Sequence, residues 1–90
     1  MVRRQVEVMN RSGLHARPSS ALVKAAARFE SEVHIELYGV RVNGKSILGI
    51  MTLAAEFGAR LELIVEGPDE EEAMAYIVDQ FACGFNLDEP

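Results

Sequence analysis

The apolar residues of this chain switch repeatedly between strict alternation and the three-to-four spacing of a helix, all within ninety residues. Such switching confines the fold to short strands and helices that share one core. From Val2 to Met9, Val6 and Val8 fall on one face and Gln5 and Glu7 on the other, which predicts a half-buried strand. Asn10-Arg11-Ser12-Gly13 is turn chemistry. Ala16 to about Phe29 reads as a helix, with Leu22, Ala25, Ala26 and Phe29 at i, i+3, i+4 and i+7. Val33, Ile35 and Leu37 then alternate with Glu32, His34 and Glu36 in a second strand. Gly39 marks the turn into a short third strand through Val40 and Val42, which Asn43-Gly44 breaks. Ser46 to about Ala55 reads as a short helix, and Leu61, Leu63 and Val65 as a fourth strand ended by Gly67-Pro68. Asp69 opens the last helix, whose buried stripe is Met74, Ile77, Val78 and Phe81 and whose stop is Gly84. Asp69 with Glu72 three residues on predicts a capping box, and Glu70, Glu71 and Glu72 suit the positive end of the helix dipole.

The order βαββαβα, with no repeat or linker, predicts one α+β domain over residues 1–90. One face of its sheet is covered by helices, and the other, bearing Glu and Arg, is left to water. Strand order does not follow from the pattern. No apolar run approaches the roughly 18 residues of a membrane span, and the start MVRRQVEV lacks a signal-peptide core. The one cysteine, Cys83, allows neither an internal disulfide framework nor a metal cluster, so a reducing, cytoplasmic setting is expected. A net charge of −5 disfavours nonspecific nucleic-acid binding and an anionic membrane surface. A nucleic-acid-binding α+β sheet would also need aromatic residues on its central strands, and only Tyr38 is offered.

The chemistry concentrates in Gly13-Leu14-His15-Ala16-Arg17-Pro18. His15 lies where loop becomes helix, close to the N-cap, and Pro18 belongs in a first turn, where its missing N–H loses nothing. A helix N-terminus presents N–H groups and partial positive charge, and Arg17 adds a fork that suits phosphate oxygens. Imidazole is a nucleophile at neutral pH without a separate base, so this site could carry a phosphoryl group as well as bind one. Residue chemistry alone leaves that reading beside a plainer one, a tolerated polar residue at a helix start. No Ser-His-Asp set or metal-ligand spacing lies nearby.

On the helical wheel Arg17, Lys24 and Arg28 lie within roughly 40° of one another. They form either a solvated helix face or a surface for an acidic partner docking over His15. The second helix splits its apolar residues into Ile50, Leu53 and Ala54 on one side and Ile47, Leu48 and Met51 on the other. A helix lying on one layer buries one side, so the second set is expected outside, as a docking cluster in which methionine adapts to several partners. Ser46 is a favoured N-cap residue, which is reason enough for its place.

The Gly13–Pro18 stretch is similar to the active-site signature of the HPr family, the histidine phosphocarriers of the phosphoenolpyruvate-dependent phosphotransferase system. Lys45-Ser46-Ile47-Leu48-Gly49-Ile50-Met51-Thr52-Leu53 resembles the family's regulatory-serine segment. The resemblance implies an open-faced β-sandwich, a four-stranded antiparallel sheet with three helices on one side. It implies that enzyme I charges His15 on Nδ1, that Arg17 steadies the phosphate, and that enzyme II A-domains take it off in sugar uptake. It further implies Ser46 as the target of an HPr kinase/phosphorylase, and a partner surface on Ala16, Arg17, Ser20, Ile47, Leu48 and Met51, adjoining Lys24 and Arg28. The protein would be a phosphotransfer intermediate, without cofactor or metal. Ala54-Ala55 stands where many sugar-type members have glycine, and Gly84-Phe85-Asn86 with a following acidic end looks like the nitrogen-branch relative, NPr. NPr-type chains generally lack the Lys45-Ser46-Ile47 context, so the subtype looks mixed. A regulatory binding module that no longer transfers phosphate is a further alternative, and such relatives lose the active histidine, which is present here.

Overall fold

The computed structural model describes residues 1–87. The acidic end beyond Leu87, and with it the last part of the expected domain, lies outside the described residues. The elements run β1 (Val2–Glu7), α1 (Ala16–Ala27), β2 (Glu32–Leu37), β3 (Val40–Asn43), α2 (Ile47–Thr52), β4 (Arg60–Glu66) and α3 (Glu70–Ala82), followed by a 3-10 turn at Gly84–Asn86. The four strands form one sheet in the order β1-β4-β2-β3, antiparallel at every pairing. This is the open-faced α+β architecture with three helices.

Alternation decides which side of each strand is dry. Val33, Ile35 and Leu37 of β2 and Leu61, Leu63 and Val65 of β4 are buried with Leu22, Ile50, Ile77 and Phe81 from the three helices. The other side carries Arg3 paired with Glu62 at 3.2 Å and Arg41 paired with Glu36 at 3.1 Å. Ile64 departs from the expected wet face: it is buried, and its cross-strand neighbours are Arg3 and His34. A short apolar side chain in a row of long polar ones is shielded by them.

Several expected boundaries shift for local reasons. β1 ends at Glu7, yet Val8 stays fully buried because it exchanges backbone bonds with the loop before β4: its amide reaches Ala59 O (2.9 Å) and its carbonyl accepts from Gly58 (2.8 Å). α1 ends at Ala27 because its last turn tightens, Arg28 bonding to Ala25 O and Phe29 to Ala26 O. α2 stops at Thr52, and Ala54 follows in the left-handed region, φ +51°, exposed rather than in the inner set expected for it.

The capping box at Asp69 does not form. Asp69 is the N-cap of α3, but its carboxylate accepts from the Glu30 and Ser31 amides, both at 2.9 Å, and from the Ser31 hydroxyl. These bonds hold its carboxyl below the usual aspartate range, the Ser31 hydroxyl contributing most. Glu70, not Glu72, turns back, accepting the Gly67 amide at 3.1 Å. The last helix thereby clasps the turn between α1 and β2.

Candidate phosphoryl site and docking surface

His15 is the N-cap of α1, extended at φ −84° and ψ −162°, and half-buried. Its carbonyl accepts the Ser19 amide at 3.0 Å, the first backbone bond of the helix. The amides of Ala16 and Arg17 therefore precede the hydrogen-bonded ladder and point out of the helix end. Pro18, buried in that first turn, has no N–H to leave there. Arg17 is exposed, beside His15 in sequence and on the first turn.

The loop under His15 is anchored at four points. Gly13 donates to Asn10 O and Leu14 to Ala55 O, each at 2.9 Å. The buried Ser19 hydroxyl donates to Leu14 O at 3.0 Å, and Asn10 Nδ2 donates to Gly84 O at 2.9 Å. Gly13 has φ +76°, and a Cβ there would run into the Ala55 carbonyl, so this position needs glycine on both counts. Of these anchors, only the turn chemistry of Asn10–Gly13 is visible in sequence; Ser19 and Ala55 carry no local signal.

The wheel's two apolar sets separate within α2, while beyond its end Leu53 is half-buried and Ala54 exposed. Ile50 is fully buried, whereas Ile47, Leu48 and Met51 are 43, 81 and 42% exposed. Ser46 caps this helix, its Oγ accepting the Gly49 amide at 3.1 Å. α1 and α2 pack against each other, so the elements bearing His15 and this apolar cluster are neighbours. Ala16, Arg17, Lys24 and Arg28 are exposed on α1 and at its cap, and Ser20 is half-exposed. Arg28 does not stand alone: its guanidinium lies 4.4 Å from the Tyr76 ring centroid, and Nη1 donates to the Tyr76 hydroxyl at 2.8 Å. Tyr76 carried no signal for this in the sequence.

A helix start that can cradle an anion around a nucleophilic imidazole is what phosphate transfer through histidine requires. The family model described as PTS HPr component phosphorylation site matches residues 2–82. The chain belongs to the HPr family. Among HPr relatives it is similar to the phosphocarrier protein HPr of Treponema pallidum, 51% identical over 85 residues that cover 94% of this chain and 97% of that protein. It is also similar to the HPr-like protein Crh of Halalkalibacterium halodurans, 50% identical over 87% of this chain and 93% of the relative. Among solved structures it resembles HPr-C-His from Thermoanaerobacter tengcongensis, with a TM-score of 0.93 and 39% identity over 99% of this chain and all of that one. HPr proteins are phosphocarriers of the phosphotransferase system, and that general role applies to this chain. Ala54, at φ +51°, holds a left-handed conformation that glycine adopts without strain.

Proposed function

We propose that this chain accepts a phosphoryl group on His15 from phosphorylated enzyme I and passes it to enzyme II A-domains in sugar uptake. The observation that carries the reading is His15 at the N-cap of α1, with Arg17 on the first turn behind it. In the forward step the Nδ1 lone pair attacks phosphorus while the donor's nitrogen–phosphorus bond breaks, the electron pair returning to the donor imidazole. The next acceptor repeats the exchange with His15 as the leaving group. Three oxygens carry the charge in flight, and positioned N–H groups are how a protein holds them. Here those groups are the Ala16 and Arg17 amides and the Arg17 guanidinium. Docking falls to Ala16, Arg17, Ser20, Ile47, Leu48 and Met51, with Lys24 and Arg28 meeting an acidic partner. Ser46 is the proposed target of an HPr kinase/phosphorylase, and the cytoplasm is the proposed setting.

The test is incubation with phosphoenolpyruvate and purified enzyme I. The protein should gain one acid-labile, base-stable phosphate, and His15→Ala should gain none while remaining folded. Labelling that survives His15→Ala overturns the assignment. Running the assay with enzyme I from the sugar and the nitrogen branch identifies the branch by which one charges the protein faster. A second reading, a regulatory binding module that no longer transfers phosphate, is prompted by the 50% identity to an HPr-like protein Crh, and the presence of His15 weighs against it. It predicts modification at Ser46 with no uptake at His15.

A further inference from the structure

Arg28 closes the basic stripe of α1, and α3 reaches across to hold it. Nη1 donates to the Tyr76 hydroxyl at 2.8 Å while the guanidinium carbon sits 4.4 Å from the ring centroid. Tyr76 is itself set by Phe29, whose ring centroid lies 5.7 Å away at an interplanar angle of 57°. Phe29 is in turn held from a third side, its carbonyl accepting from Lys45 Nζ at 2.8 Å. The corner where α1 ends therefore joins α1, α3 and the segment leading into α2.

We infer that Tyr76 is a positioning residue for docking, holding the Arg28 guanidinium in place for a carboxylate on an acidic partner; this rests on the docking reading above. An exposed arginine ordinarily samples many rotamers and loses that freedom when it binds. The ring face and the hydroxyl order Arg28 before any partner arrives. The bond to Tyr76 uses one of five N–H groups, so the others remain to meet a carboxylate. Lys45 spends its charge on a backbone carbonyl, whereas Arg28 is exposed and held by Tyr76, so it is both oriented and accessible.

The contact also ties α1 to α3, so the experiment has to separate positioning from stability. Binding to purified enzyme I is measured at low and moderate salt for wild type, Arg28→Ala, Tyr76→Phe, Tyr76→Leu and the Arg28→Ala/Tyr76→Leu double variant, with a melting curve for each. Arg28→Ala should weaken binding by about tenfold at low salt and less at moderate salt. Tyr76→Leu should weaken it by about threefold, Tyr76→Phe by less, and the double variant should bind like Arg28→Ala alone. In the free protein, side-chain nitrogen relaxation should show Arg28 Nε more mobile in Tyr76→Phe than in wild type. Full affinity in Tyr76→Leu with a loss in Arg28→Ala overturns the inference and leaves the docking reading standing. Full affinity in Arg28→Ala removes Arg28 from the docking surface and the inference with it. Additive losses in the double variant, or equal Arg28 mobility in wild type and Tyr76→Phe, also overturn it.

Discussion

The Ser46 hydroxyl oxygen accepts the Gly49 amide at 3.1 Å, so the residue proposed for regulatory phosphorylation is also the cap that begins α2. Aspartate caps a helix about as well as serine, whereas alanine loses about 1 kcal/mol, or roughly 4–8 °C of melting temperature in a domain of this size. Ser46→Ala should therefore melt lower while accepting phosphate on His15 at a normal rate. Ser46→Asp should melt within about two degrees of wild type and be charged more slowly by enzyme I. Its new charge stands next to Ile47 and Leu48, on a surface the partner must dry, and a basic stripe implies an acidic partner that repels it. Melting curves and charging kinetics on the two variants check both halves.

Leu48 and Ile50 are two residues apart and should fail in opposite ways. Leu48 is 81% exposed, so Leu48→Ala should leave the melting temperature nearly unchanged and weaken enzyme I binding. Ile50 is fully buried, and Ile50→Ala should cost about 2–5 kcal/mol. Denaturant titration and binding on both variants decide it; a large stability loss in Leu48→Ala would put the apolar cluster in the core.

The Asp69 clasp makes a statement about acid. Its carboxyl is held below the ordinary aspartate value by the Ser31 hydroxyl and the Glu30 and Ser31 amides, so the folded state favours the ionised form. The resulting stability is complete above the unfolded value, near pH 3.8 to 3.9, and is lost as pH falls through the lower folded value. Asp69→Ala should be less stable than wild type at neutral pH, with a gap that narrows below about pH 4. Urea midpoints of both proteins from pH 7 to pH 2 measure that gap.

Ala54 sits at φ +51°, where a side chain is strained and glycine is not. A left-handed non-glycine residue costs roughly 1–2 kcal/mol, and glycine returns part of that as unfolded-state entropy. Ala54→Gly should raise the melting temperature by a few degrees, about 0.5–1 kcal/mol. The substitution should leave His15 charging intact, since the Ala55 carbonyl still anchors Leu14.

What could be read from sequence follows the range of the interactions. Val33, Ile35 and Leu37 announce a strand because their burial depends only on alternation, and Ser46 announces a helix start because its partner is three residues away. His15 at a helix N-terminus is legible for the same reason. Asp69 misleads because the local capping rule competes with partners in the distant turn at Glu30 and Ser31, and the distant partners win. Ile64 misleads because alternation assigns it to water while its cross-strand neighbours, Arg3 and His34, shield it. The pairing of β1 with β4, the Leu14–Ala55 bond and the Arg28–Tyr76 stack all join segments far apart in sequence, and no local pattern encodes them.

That same pairing orders events on the ribosome. The histidine loop emerges long before the Ala55 carbonyl that fixes Leu14, and before β4, which supplies β1 with its only sheet neighbour among the described strands. Contacts of such long separation form late, after the intervening loop has been closed. A chain cut short before Ala55 would lack the carbonyl that fixes Leu14 beneath His15, and one cut short before β4 would leave β1 without that sheet neighbour. The last strand of the sheet is thus what both closes β1 into the fold and follows directly on the segment that pins the histidine loop.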